Sequence, residues 1–127
     1  MHSIILIGSD RYSVFLKHEL KKNKFKLFFS SKPKPGLDKA RLKKPDILII
    51  NSVSQGSFVV FDLIKEIKSD IRLKDSIVLV LSEHADEFDK ILSIELGADE
   101  YMVKPVNLDE MLFKLKCLLR RKKDVTS

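Results

Sequence analysis

The sequence predicts an α/β fold: a doubly wound sheet of five parallel strands in the order 2-1-3-4-5, with helices on both faces. Three observations predict it. Five short apolar runs alternate with five segments of helical period along 127 residues. Three of the runs, "IILI", "DILII" and "SIVLVL", are nearly continuous Ile, Leu and Val, the signature of parallel strands covered on both sides. Strict alternation of strand and helix with right-handed crossovers then gives an open sheet whose strands 1, 3 and 5 bring their carboxyl ends together.

Residues 2–7, "HSIILI", have no basic leader, and their apolar run is too short for a signal-peptide core, so they read as the first strand. A helix over 11–23 and a strand over 25–29, "FKLFF", follow. "SSKPKPG" is the single Pro/Gly-rich break and reads as a connection, which places the second helix at 37–43. The third strand is 46–51, "DILIIN", the third helix 58–69, the fourth strand 76–82, the fourth helix 86–96 and the fifth strand 99–103. The last helix, 107–121, is the clearest: Leu108, Met111, Leu112, Leu115, Leu118 and Leu119 recur on one face, and Asn107 with Glu110 forms a capping box after Pro105. Residues 1–121 make one domain, and 122–127 read as the start of a linker or a free tail.

Composition narrows the function. A hydrophobic share of 44% with 33% charged residues suits a globular domain, and 8% aromatic residues with no Trp argue against a base- or sugar-stacking surface. No apolar run approaches the roughly 18 residues that span a bilayer. The lone Cys117 permits no internal disulfide and no zinc site, which fits a cytoplasmic protein. The net charge is +6, with basic residues clustered at 17–44 and in "RRKK". The 17–44 cluster is not Arg-rich, and no helix-turn-helix is present. Solvated helix faces are therefore the reading, and direct nucleic-acid binding by this domain ranks last.

The strand order collects Gly8 to Asp10, Asn51 to Gly56, Ser82 and Lys104 at one edge of the sheet. Here the chain resembles a family. "LGADEYMVKP", together with "IILI", "PDILIIN", "IVLVLS" and the terminal "LLRR", is similar to the receiver domain of two-component response regulators, of the OmpR/PhoB type, whose fold is flavodoxin-like (CheY-like). The resemblance implies an Asp at the end of strand 3 that accepts a phosphoryl group, two acids after strand 1 that help hold Mg²⁺, a Ser or Thr ending strand 4, and a Lys ending strand 5. Ser82 and Lys104 match. Lys104-Pro105 falls where the family has a cis peptide, and Tyr101 matches the aromatic whose rotation reports the switch.

The chemistry departs from the family. Asn51 occupies the phosphoacceptor position, and Gly8 and Ser9 stand where the acidic pair belongs, leaving Asp10. The pocket charge falls from about −2 to between about 0 and +1, so Mg²⁺ binding is expected to be weak or absent and no cofactor is needed. The Asn51 carbonyl is expected to accept from Lys104 while its NH₂ donates elsewhere. The loop "SVSQGSF" lacks the family's Met-Leu-Pro run, and Asn51-Ser52 is a dipeptide capable of deamidation. No enzymatic activity is expected.

By position, the resemblance also implies a homodimer through helix 4, strand 5 and helix 5, with Lys90 opposite Glu110, Asp99 opposite Lys114 and Glu100 opposite Arg121. Output, most readily transcriptional, would pass to a C-terminal DNA-binding domain or a partner protein. Two other readings compete: a conventional phosphorylated receiver with an unusual acceptor, and a module that binds a small anion or nucleotide.

Overall fold

The computed structural model describes residues 1–52 and 57–126. Strands and helices alternate throughout: β1 (Ser3–Ile7), α1 (Arg11–Lys22), β2 (Lys26–Ser30), α2 (Pro33–Lys43), β3 (Ile47–Asn51), α3 (Ser57–Ser69), β4 (Ile77–Ser82), α4 (Glu87–Leu96), β5 (Glu100–Val103) and α5 (Leu108–Thr126). All pairings are parallel, and the order is β2-β1-β3-β4-β5, as the sequence predicts.

Successive side chains of a strand point to opposite faces, and this period of two divides the core. Ile5, Ile7, Leu48, Ile50, Val78 and Val80 meet Leu37 and Ala40 of α2 and Leu63, Ile64 and Ile67 of α3. On the other face, Ile4, Leu6, Ile47, Ile49, Leu79 and Leu81 meet Leu16 and Leu20 of α1 and Met111, Leu112 and Leu115 of α5. β3 and β4 are buried along their whole length, which is why they carry unbroken apolar runs. Truncating a fully buried Ile such as Ile49 to Ala would cost about 2–5 kcal/mol.

α2 corrects one expectation. It begins at Pro33, inside the segment read as a connection. Pro33 and Pro35 fall in the first turn, where the backbone N–H has no intrahelical acceptor and proline loses nothing. Gly36 is a contact residue: a Cβ there would lie 2.8 Å from Cγ1 and Cδ1 of Ile7, so glycine lets α2 settle directly on β1. The proline and glycine that signal a break thus serve a helix start and a close packing.

α5 continues to Thr126, past residue 121, through a segment with no Pro or Gly to stop it. Half of the expected capping box is present, since Glu110 N donates to Asn107 Oδ1 at 2.9 Å. The Glu110 carboxylate instead lies 3.6 Å from the Lys114 ammonium. Among the described residues, no helix is long and apolar enough to cross a membrane.

Candidate functional site

The carboxyl edge of the sheet holds the site. β3 ends at Asn51, whose side chain is 3% exposed between β1 and β4. β5 delivers Lys104, which is only 6% exposed, and the Lys104-Pro105 peptide is cis, as the resemblance implies. α1 starts at the same edge with Asp10 as its N-cap.

These groups form one closed network. The Lys104 ammonium donates to Asn51 Oδ1 at 2.6 Å, to the Ser52 carbonyl at 2.9 Å and to Asp10 Oδ2 at 3.2 Å, which matches its three N–H bonds with three oxygens. The Asn51 amide donates to Asp10 Oδ1 and to Ser13 Oγ, both at 2.7 Å. Asp10 Oδ1 also accepts from Ser13 N at 3.0 Å and from Ser13 Oγ at 3.2 Å. Burial alone would raise the Asp10 pKa; the Ser13 amide, the Lys104 ammonium and the Asn51 amide outweigh it and hold the carboxyl below its ordinary value.

Glycine at position 8 is required by this network. A Cβ there would lie 2.5 Å from Ser13 Oγ and 2.9 Å from Asn51 Cβ. The space a side chain at this position would need is filled by the Ser13 hydroxyl and the Asn51 side chain. Ser9 is exposed.

The residues present do not fit Mg²⁺. A magnesium site needs oxygen ligands free to coordinate, usually with one or two carboxylates. Asp10 is already shared among Lys104, Asn51 and Ser13, and the nearest other carboxylate, Glu83, is 4.0 Å from Lys104. Among the described residues, no group of three His, Cys, Asp or Glu side chains is arranged to hold a metal.

Ser82 and Tyr101 organise the neighbouring loop. Ser82 is buried and its Oγ accepts from His84 N at 3.1 Å. Tyr101 is also buried, and its hydroxyl donates to the His84 carbonyl at 3.2 Å. The β4–α4 connection is thus tied from both sides, by Ser82, whose carbonyl accepts from Lys104 N at 2.7 Å, and by Tyr101, three residues before Lys104. Ser52 lies beside Asn51; residues 53–56 of the expected loop fall outside the described residues.

Sequence reasoning missed three members. Ser13 sits three residues into α1 after its N-cap, a position that faces the strand ends. Tyr12 places its ring 5.6 Å from the Lys104 ammonium and accepts from Val106 N at 2.9 Å. Glu83 follows Ser82 directly. The offset from Asp10 was the available signal for Ser13; nothing in the pattern singles out the others.

The six expected interface residues lie on α4, at the start of β5 and along α5. Within the chain, Lys114 is 3.5 Å from Glu100 and 3.6 Å from Glu110, and the Asp99 carboxylate accepts from Val78 N at 2.8 Å. Lys90 and Arg121 are exposed.

A parallel 2-1-3-4-5 sheet with a buried lysine after its last strand and a buried serine ending its fourth is the architecture of a receiver domain. Comparison with known proteins agrees. The alkaline phosphatase synthesis transcriptional regulatory protein PhoP of Bacillus subtilis is 30% identical over 123 residues, which cover 95% of this chain and 50% of that protein. The KDP operon transcriptional regulatory protein KdpE of Escherichia coli is 30% identical over 127 residues, covering 97% of this chain and 54% of that one. A response regulator from Thermotoga maritima superposes with a TM-score of 0.82 at 25% identity, covering 94% of this chain and 98% of that one. A receiver domain protein from Clostridium thermocellum gives a TM-score of 0.85 at 23% identity, covering 98% and 99%. No protein-family model matches the chain. Over nearly its whole length the chain is similar to response regulators, and its fold is that of their CheY-like receiver domains. It spans about half the length of the curated relatives it matches.

Proposed function

We propose that this receiver domain works without phosphorylation and regulates output, most readily transcription, by forming a homodimer through α4, β5 and α5. The observation that carries the first half is the amide of Asn51, saturated by Asp10, Ser13 and Lys104. An amide is a far poorer nucleophile than a carboxylate, and a lysine with three short acceptors has no donor left for a phosphoryl oxygen. With Gly8 sterically closed and Asp10 engaged, Mg²⁺ binding is weak or absent.

Charge and exposure support the second half. Residues 83–110 carry nine carboxylates against Lys90 and Lys104, whereas α5 beyond Glu110 is basic. Phe88 and Ile91 of α4 and Phe113 of α5 are 68%, 56% and 66% exposed, so both helices offer apolar contact area beside their charges. In a C2 dimer each acidic patch meets the partner's basic one, so every pair occurs twice. Lys90 with Glu110, Asp99 with Lys114 and Glu100 with Arg121 are the pairs proposed; Lys114 would leave its carboxylate neighbours in its own chain. Such pairs set orientation more than affinity. Two relatives are named as transcriptional regulatory proteins and are about twice as long, which supports an attached or partner output domain for this one.

Sedimentation at several concentrations, with and without Mg²⁺ and beryllofluoride, tests the reading. A dimer indifferent to beryllofluoride is the expected result. A monomer that dimerises only when it is added would overturn it.

A further inference from the structure

The carboxyl edge of the sheet has a second opening, on the face covered by α2 and α3. It is a cavity of about 260 Å³ between the ends of β1 and β3 and the starts of the two helices. Ile7 and Ile50, paired in register on adjacent strands, are buried along it, and Val60 and Leu63 of α3 continue the apolar wall. Ile7 is also the residue on which Gly36 seats α2, so this wall is packed and held in shape before any ligand arrives. β1 is flanked by β2 on one side and β3 on the other, so the winding of the chain reverses here, and open parallel sheets take their ligands outside such strand ends.

The lining is neutral. Among the described residues it carries no Lys, Arg, Asp or Glu, although these make up 33% of the chain. Its polar members are Ser9, Ser31, Ser52 and Asn51, whose side chains hydrogen-bond without charge. A helix start ordinarily favours an anion, but Pro33 and Pro35 have no N–H, and Gly36 N is spent on the Lys32 carbonyl at 3.0 Å. The α2–α3 groove turns charged only further on, where Arg41 of α2 lies 3.5 Å from Glu66 of α3. A carboxylate or phosphate in the cavity would lose its water and find no cation in the lining.

We infer that this cavity binds a small uncharged ring compound bearing a hydroxyl group. Its volume lies between the about 150 Å³ of an engineered dry cavity that takes benzene and the about 300–1,000 Å³ of sites for drug-sized molecules, which fits one substituted ring. A rigid ring fills the apolar part at the least cost in conformational freedom, and its hydroxyl meets the serine end. The lining comes from β1, β3, α2, α3 and the residues beside them, so the inference does not rest on the proposed dimer through α4, β5 and α5. Occupancy stabilises the fold by mass action and leaves that surface untouched.

The test is a titration of the whole isotope-labelled chain with para-cresol, followed at the backbone amides by proton–nitrogen correlation spectra. Saturable shifts at Gly8, Ser9 and Val60 are expected, with a Kd of about 1 mM or below. Para-toluate, the same ring with a carboxylate in place of the hydroxyl, should bind about tenfold more weakly or worse, and inorganic phosphate should leave these signals in place. Val59→Phe, at an exposed position bordering the cavity, fills it and should weaken para-cresol binding about tenfold. Val14→Phe, the same change at an exposed position of α1, should leave binding unchanged. Absence of saturable shifts, shifts centred elsewhere, equal binding of para-toluate, or equal binding by the two variants overturns the inference. Should Val59→Phe fail to fold, the comparison with para-toluate decides. The molar mass in sedimentation should stay the same with saturating para-cresol; a change would overturn the separation of the cavity from the dimer surface.

Discussion

The Lys104 ammonium and the Asn51 carbonyl oxygen lie 2.6 Å apart, the shortest hydrogen bond of the site, and the amide on the other end of Asn51 meets Asp10. The residue bridges a cation and an anion with the polarity each requires. Only an amide does this while remaining neutral.

Asn51→Asp should therefore destabilise the fold. The oxygen that replaces Nδ2 would face Asp10 Oδ1 at the present 2.7 Å, with no proton between them at neutral pH. A loss of about 1–3 kcal/mol is expected from the unmade hydrogen bond and like-charge repulsion, read by urea unfolding. Deamidation should be slow for the same structural reasons: Ser52 N, the attacking group, donates to the Leu81 carbonyl at 2.8 Å. A one-dalton gain at residue 51 after ageing the folded protein would contradict this. Acetyl phosphate should label neither form, as intact mass would report.

Gly8 and Ser13 should behave as a coupled pair. Gly8→Ala alone would press its methyl on Ser13 Oγ and cost about 1–3 kcal/mol. Ser13→Ala should recover part of that cost, with the contact to Asn51 Cβ remaining. A double-mutant cycle that is additive within about 0.5 kcal/mol would show that the two do not meet.

Asp10→Asn preserves the helix cap and removes only the charge. Asp10 has a lowered pKa in the folded state, so its contribution to stability is present above the ordinary value of 3.8 and is lost as pH falls through the lowered one. The variant should be less stable by about 1–2 kcal/mol at pH 7. The gap should be constant through neutral pH and close only below the ordinary value. A gap that closes between pH 5 and 7 would assign the effect to another group.

Ser93 lies on α4 at 1% exposure, and its hydroxyl has no hydrogen-bond partner among the described residues. Ser93→Ala removes a buried polar atom that gains nothing, and Ala is the better helix former. Stability should rise by about 1 kcal/mol, seen as a higher urea midpoint with an unchanged slope. A lower midpoint would mean that the hydroxyl is paired.

Apolar continuity made β3 and β4 legible, because strands buried on both faces have no polar positions to interrupt them. The strand order followed from alternation, and the order placed Asn51, Ser82 and Lys104 together. The start of α2 was not legible: Pro33, Pro35 and Gly36 signal a break by local rules, and their roles as a first turn and a seat for Ile7 depend on a strand 26 residues earlier. Asn51 was read correctly as both acceptor and donor. Its donor-side partners divide, since Asp10 stood in a suspect region while Ser13 was a plain helix serine. A hydroxyl inside a helix carries no mark of its purpose until the neighbouring strand end arrives.

The saturated Lys104 network has a consequence for how information reaches such a domain. In the proposed reading the site has no open valence through which a kinase or metal could set its state. A monomer and dimer in equilibrium without a chemical input respond to one variable, the amount of protein present. Synthesis and degradation then become the signal, and the steepness of the response is that of mass action between two copies.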